Sequence, residues 1–300
     1  MKVNLHTHSI YSDGDETPER LVELAKEASV EVLALTDHNT FEGYPRFEKA
    51  CHELGVSYIK GVEIDCIQPE IGFHQELLAY FPNGREECLN EVLIRKQKAR
   101  RERVLRALER ATRLFDTPKL EIGQLEKMEI AQKGAIGMLS NKLVYCYMVA
   151  LKPELPSYQN IQKMQQWKDT WKREGADSAD TLYELIPLVA QNGGYPVLAH
   201  FGFHFEADPK KMRAQADEYI DHLHYMKSLG LWGLELHPYR YYPQKDEIND
   251  IIKGWAEVVG LNLTTGSDFH GGKQSCHQIF EWYGVDFKGF SSPQPTLLTE

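Results

Sequence analysis

Cysteine is sparse in this chain. There are five in 300 residues, Cys51, Cys66, Cys88, Cys146 and Cys276, with no CxxC pair and no regular spacing. An odd, scattered set builds neither a disulfide framework nor a thiolate metal site; it reads as reduced thiols, which predicts a cytoplasmic protein. Long apolar runs are also missing. The stretch 143–151 is far shorter than the roughly 20 residues that span a bilayer, so no membrane partner is expected. The start, Met1-Lys2-Val3-Asn4-Leu5-His6, lacks the charged-then-apolar layout of a signal peptide. No repeat or low-complexity tract occurs, and 42% hydrophobic with 26% charged residues is what a folded globular chain carries. Positive charge is in deficit overall: a net charge of −10 argues against a protein built to coat nucleic acid. One segment runs the other way. Residues 95–113 hold nine Lys/Arg against Glu102 and Glu109. This is either a solvated helix face or a helix whose arginines lean over a site and hold a phosphate.

The first third alternates short apolar runs with helical patterns. Strands are expected at 3–5, 30–36, 56–64 and 75–81, with helices at 17–29 and 44–54, the latter ended by Gly55. This βαβα rhythm implies a largely parallel sheet with crossover helices. The middle differs. One long helical pattern fills 85–115, shorter ones are expected at 121–128, 141–149 and 158–171, and no convincing strand interrupts them. The α/β rhythm resumes with helices at 179–191, 208–229 and 245–259 and strands at 195–199, 232–236 and 261–265; 271–300 is expected as loop packed on the barrel. Residues 1–85 and 175–300 are thus expected to form one α/β domain, and 86–174 a helical insertion capping its active site.

Ligand-type residues recur at the strand ends. His6 and His8 lie two apart, on one face of a strand, and Asp13 follows. His38 ends the second strand, Glu63 the third, His74 opens the fourth, His200 follows the fifth, and Asp268 and His270 follow the last. Barrel enzymes place their active sites at this face. A single histidine beside a strand carries little information; nine such residues in equivalent positions define a metal site. Nine ligands exceed what one ion needs, so two or three divalent ions are expected, with Glu63 or Asp268 suited to bridging. Imidazole and carboxylate without thiolate favour Mn, Fe or Zn. Closely spaced ions suit phosphoryl chemistry.

At these residues the chain resembles the polymerase and histidinol phosphatase (PHP) family. The resemblance rests on His6-x-His8 with Ser12-Asp13-Gly14, Thr36-Asp37-His38, Gly61-Val62-Glu63, Ala199-His200 and Gly266-Ser267-Asp268-Phe269-His270. It covers about 1–83 and 181–276. It implies a distorted (β/α)7 barrel with a two- or three-metal site, nearest the branch of nucleoside bisphosphate phosphatases and cyclic phosphate hydrolases. Asp13 stands where other branches carry a third-metal His. The chain departs from that branch where it has His200-Phe201-Gly202-Phe203-His204 in place of His-Pro and a nearby Arg. It departs again where Gly137-Met138-Leu139-Ser140-Asn141-Lys142 replaces Arg-Pro-His. The usual phosphate clamps are missing or moved, and Lys142, Arg103 and Arg240 are the substrate-binding candidates.

The function expected from these features is hydrolysis of a small phosphorylated metabolite, a monoester or a cyclic phosphodiester, by attack of a metal-bound hydroxide on phosphorus. Asp37, His204 and a metal-bound water are candidates for the proton donor, and Asp37 is alternatively a partner that orients a ligand imidazole. Rival readings are a nuclease, a 3′,5′-nucleoside bisphosphate phosphatase, a non-catalytic metal-binding or proofreading-accessory domain whose ligands would be partly lost, and an amidohydrolase-type C–N hydrolase. The last would want a lysine ligand on a barrel strand, and none is suitably placed.

Overall fold

The computed structural model describes residues 1–162, 164–170, 180–271 and 287–290. The chain runs β1 (Val3–Asn4), α1 (Pro18–Glu27), β2 (Val32–Leu35), α2 (Tyr44–Leu54), β3 (Ser57–Asp65) and β4 (Glu76–Tyr80). Five helices follow: α3 (Asn90–Phe115), α4 (Ile122–Lys133), α5 (Asn141–Leu151), α6 (Tyr158–Ile161) and α7 (Gln165–Thr170). The remainder is α8 (Leu182–Gln191), β5 (Tyr195–Leu198), α9 (Pro209–Ala214), α10 (Ala216–Leu229), β6 (Gly233–Leu236), α11 (Lys245–Val259) and β7 (Asn262–Thr265). Local chemistry sets several boundaries. Thr17 caps α1 ahead of Pro18 by accepting from Arg20 N–H. Gly55 ends α2 in the left-handed region, and a reciprocal Thr181–Glu184 capping box opens α8.

The seven strands lie in sequence order in one sheet. Its ends approach each other where Leu5 N–H donates to Thr265 O at 3.0 Å and Thr7 bridges to Phe269 in parallel, so the sheet curls into a nearly closed barrel. The expectation of a largely parallel sheet needs one correction: β4 runs antiparallel to both β3 and β5, while the other neighbours are parallel. Residues 66–75 between β3 and β4 hold only a single 3-10 turn, Pro69–Ile71. That is too little chain for a parallel crossover. Consequently β4 starts, rather than ends, at the barrel face where its neighbours end.

Val3, Leu5, Ala34, Leu78, Tyr80, Val197 and Ala199 fill the barrel interior with Trp232 and Phe287. In the described part of the tail, the Phe290 ring packs at a tilt on Tyr80, Tyr195 and Trp232, with ring centroids within 5.0 Å. Residues 272–286 and 291–300 lie outside the described residues, as does the expected insertion boundary at 174. The helices pack outside the sheet on two further cores. Helix α3 belongs to two bodies: Val92 and Leu93 in its first turn join the barrel's outer core, whereas Val104, Leu108 and Ala111 join a separate core with Leu125, Val144, Met148 and Trp167. Two helices expected as single pieces are divided: 208–229 breaks at Gln215, and 158–170 forms α6 and α7.

The barrel seam rests on close contact. Asn4 Nδ2 donates to Ser267 Oγ at 2.8 Å while its Oδ1 accepts from Ser267 N–H at 3.0 Å. Beside it, a Cβ on Gly266 would lie 2.2 Å from His6 Cβ. Gly266→Ala should therefore strain the seam by about 1–3 kcal/mol and lower the thermal midpoint by several degrees. Gly123→Ala, where an added Cβ meets nothing within 4 Å, should leave it unchanged or slightly raised. Thermal denaturation of the two variants checks this.

Candidate metal centre

His6 and His8 leave β1 with both rings fully buried, and their Nε2 atoms approach to 3.0 Å. Glu63 Oε2 lies 3.2 Å from each, and Asp268 Oδ1 lies 3.4 and 3.1 Å away, so four ligand atoms surround one point. A second group adjoins it. Asp13 reaches His270 Nε2 at 3.2 Å and His8 Nδ1 and His38 Nε2 at 3.8 Å each. The third group places His200 Nε2 3.1 Å from the other Glu63 oxygen, Oε1, and 3.7 Å from Glu76 Oε2. Glu63 thus faces two groups with separate oxygens. His8 also faces two, but a neutral imidazole has one lone pair and serves one ion at a time.

Eight of the nine residues singled out in the sequence meet here: His6, His8, Asp13, His38, Glu63, His200, Asp268 and His270. His74 does not. It is exposed, because β4 begins two residues later, and Glu76 holds the position expected for it. Glu76 shares its strand face with Leu78 and Tyr80, which fill the barrel, so the period of two aims its carboxylate inward. The sequence signal was an acid opening an apolar strand. Glu235 carries the same kind of signal inside Gly233-Leu234-Glu235-Leu236. It is fully buried, accepts from His200 N–H at 2.8 Å and meets His6 Nδ1 at 2.9 Å. That contact leaves His6 Nε2 directed at the centre, the usual way a carboxylate fixes a ligand imidazole.

The donor set fits divalent transition ions. The Glu63 carboxylate lies against imidazoles of all three groups: Oε2 stands 3.3 Å from His38 Nδ1 as well as 3.2 Å from His6 and His8 Nε2, and Oε1 stands 3.1 Å from His200 Nε2. Charge tells the same story. Burial alone would lower the pKa of His270 and His200, yet Asp13 and Asp268 raise the first to about 10, and Glu63 and Glu76 raise the second to about 9. Burial also pushes Glu76 up to about 8, against the pull of His200. The carboxylates are short of positive charge, and ions in the three groups would supply it. The backbone is strained at the same places: His200, Asp268, and Asn39 beside His38 have φ of 28°, 53° and 54°.

Asp37 lies beneath the site. It accepts from Ser9 N–H, Ser9 Oγ and Ser12 Oγ, each at 2.7 Å, and so holds the turn between His8 and Asp13. Both oxygens are engaged with that turn rather than with the ligand groups. His204 is likewise directed away: its Nε2 meets the Tyr219 hydroxyl, and its ring packs on Phe73 and Phe205. The 3-10 turn Phe201–Phe205 carries it out of the centre, and burial lowers its pKa to about 4. Lys142 is exposed on α5, outside the linings of the three cavities that Arg100, Arg103 and Arg240 border. Arg103 lines a cavity of about 290 Å³ with Asp13 and Arg100, and Arg240 lines one of about 160 Å³ with Asp268. Arg100, missed in the sequence because it is one cation among nine, also lines a cavity of about 350 Å³ that reaches His38. Lys60, a lysine on a barrel strand, points instead to Glu86 and the Tyr44 ring.

A barrel with three clustered imidazole–carboxylate groups at one face has the donor set of a metal-dependent hydrolase, and the comparisons place it among those acting on phosphate esters. Residues 4–232 match the PHP domain family, to which the chain belongs. It is 27% identical over 274 residues to a phosphoribosyl 1,2-cyclic phosphate 1,2-diphosphodiesterase of Eggerthella lenta, covering 89% of this chain and 94% of the relative. It is 29% identical over 272 residues to a 5′-3′ exoribonuclease of Haemophilus influenzae, covering 90% of each. A Bifidobacterium adolescentis protein, an inferred metal-dependent phosphoesterase, shares the fold with a TM-score of 0.68 at 24% identity, over 92% of this chain and 90% of that one. Among the described residues no helix is long and apolar enough to cross a membrane.

Glu63→Ala should abolish turnover, because it removes a ligand from two groups at once. Glu235→Ala removes no ligand but frees the His6 ring, so metal affinity should fall about 10- to 100-fold with the chain still folded. Phosphatase assays in metal-saturating buffer check the first, and equilibrium dialysis with elemental analysis, alongside circular dichroism, checks the second.

Proposed function

We propose that the protein hydrolyses a small phosphorylated metabolite, a phosphate monoester or cyclic phosphodiester, with the scissile phosphate over the three ligand groups. The observation that carries this reading is the placement of Arg100 and Arg103 on α3. They line cavities that open directly onto Asp13 and His38. His6, His8, Glu63 and Asp268 would hold one ion, Glu63, Glu76 and His200 another, and Asp13, His38 and His270 a third. Mn, Fe or Zn bound there supplies Lewis acidity to phosphoryl oxygens and activates water at neutral pH. The chain's own residues do the rest. Glu235 and Asp37 hold ligands and loop in place, and the buried strand ends exclude bulk water. The guanidinium groups of α3 grip anionic oxygens of the substrate away from the reacting phosphorus.

Cavities of about 350, 290 and 160 Å³ suit a metabolite rather than a polymer groove, and the net charge of −10 supports that choice. The Eggerthella relative acts on a cyclic phosphate, which supports a small substrate. The Haemophilus relative favours a second reading, removal of nucleotides from the end of a short RNA. A panel with Mn²⁺ separates them: phosphate monoesters, cyclic diesters, nucleoside 3′,5′-bisphosphates and 5′-phosphorylated oligoribonucleotides. The first two classes should give the highest kcat/KM. Preference for the oligoribonucleotide would replace this reading with the second.

Purified without chelator, the protein should carry two or three transition-metal ions per chain by elemental analysis. Removing them should abolish turnover, and Mn²⁺ should restore it. Arg100→Ala and Arg103→Ala should each lower kcat/KM on the best substrate about 10- to 150-fold, through loss of charge-assisted hydrogen bonds of roughly 1.5–3 kcal/mol. Metal content should stay unchanged, and 4-nitrophenyl phosphate, which lacks a second anionic group, should be affected much less. Steady-state kinetics on both substrates is the measurement.

A further inference from the structure

The turn that carries Asp13 is held from two sides. On the barrel side Asp37 grips Ser9 and Ser12, and Ser12 N–H and Gly14 N–H both donate to Ser9 O at 3.0 Å. The other side belongs to the helical insertion. Met138 N–H donates to Ser12 O at 2.5 Å, and Lys133 Nζ, at the end of α4, donates to Gly14 O at 3.0 Å. Between them Gly137 lies flat on the turn: a Cβ there would stand 2.3 Å from Ser12 O and 2.5 Å from Ile10 O. Glu129, buried on α4, stands 3.6 Å from the Lys133 ammonium and steadies it. A further strut comes from α3, where Gln97 Nε2 donates to Asn39 O at 3.2 Å, next to His38.

These contacts converge on one of the three ligand groups. Asp13 is its single carboxylate, and its side chain, 32% exposed, is the least buried of the ligands. The other two groups are built from residues in or beside the barrel strands and are held by sheet hydrogen bonds. Asp13 sits on a turn of the chain well beyond β1, so its position depends on what grips that turn.

We infer that Lys133, Gly137 and Met138 of the insertion are positioning residues for Asp13, so that metal affinity of the Asp13–His38–His270 group is set by the insertion while the other two groups are independent of it. The inference rests on the metal-centre reading above. Physically, the two hydrogen bonds fix the carbonyls on either side of Asp13, and the missing Cβ at Gly137 permits the close approach that makes the first of them. An added methyl must push the two backbones apart and swing Asp13 away from His270.

The test is Mn²⁺ binding, measured by equilibrium dialysis with elemental analysis, on the full-length protein. Gly137→Ala and Lys133→Met should weaken one class of site at least about 10-fold and leave the remaining ions bound with wild-type affinity. Gly123→Ala, in the same insertion but free of neighbours, should bind like the wild type. In an Asp13→Asn background neither substitution should weaken Mn²⁺ binding further, because both act through that carboxylate. If Gly137→Ala fails to fold, as judged by circular dichroism, Lys133→Met carries the comparison, since it removes one hydrogen bond and the Glu129 pair at a helix end without forcing two backbones apart. Wild-type affinity at every site in folded variants overturns the inference. So does an equal loss with and without Asp13, or an equal loss at all sites. A wild-type chain that takes up no Mn²⁺ overturns the metal-centre reading as well.

Discussion

Glu63 and Asp268 meet His6 and His8 at oxygen-to-nitrogen separations of 3.1 to 3.4 Å, where bulk water does not reach. Burying carboxylates in this way costs several kcal/mol per ion unless positive charge and hydrogen bonds compensate. The architecture around this point supplies compensation. Imidazoles surround the acids, Glu235 fixes the His6 ring, and strained backbone at His200 and Asp268 aims side chains inward rather than along the strands. Such strain persists only where the surrounding packing over-determines it. The barrel interior, closed below by Trp232, Phe287 and Phe290, supplies that packing.

Strand direction decides which residues share the centre. A parallel strand delivers the residues after its end to the catalytic face, as β1, β2, β5 and β7 do with His6, His38, His200 and Asp268. The reversed β4 delivers its first residue instead, and Glu76 enters opposite Asp65 of β3. One short connection between β3 and β4 therefore changes the chemistry of the third group. An acid that burial pushes up to about 8 stands there in place of an imidazole.

The helical insertion has a core of its own but is not an independent lid. Its first helix starts inside the outer core of the barrel, Lys96 is buried against Asp180 and Asp65 O, and the segment after α4 lies on the Asp13 turn. Arg100 and Arg103 stand on the same helix that provides these anchors, so the groups proposed to hold substrate are rigidly tied to the barrel. A helix held in this way fixes the Cα positions from which the two guanidinium groups reach, so only side-chain freedom is lost on binding.

Much of this was legible in the chain itself. The alternation of short apolar runs with helical patterns marked the strands. The recurrence of His and carboxylate just past them picked out eight of the residues that meet in the three groups, and the resemblance carried by His6-x-His8 and Asp268-x-His270 named the family. These are local properties: the period of a strand and the identity of the residue at its end are written in consecutive positions. Glu76 in place of His74, the support from Glu235, the burial of Asp37 and His204 away from the centre, and the reach of Arg100 were decided by the tertiary structure. Each depends on which distant segments meet, through the direction of β4, the register of β6 against its neighbours and the path of the insertion over the Asp13 turn. The sequence determined what chemistry this protein carries, because ligand types are fixed residue by residue. Only the fold decided which of those side chains share a point in space, because that depends on hydrogen-bond register and close packing between segments far apart in the chain.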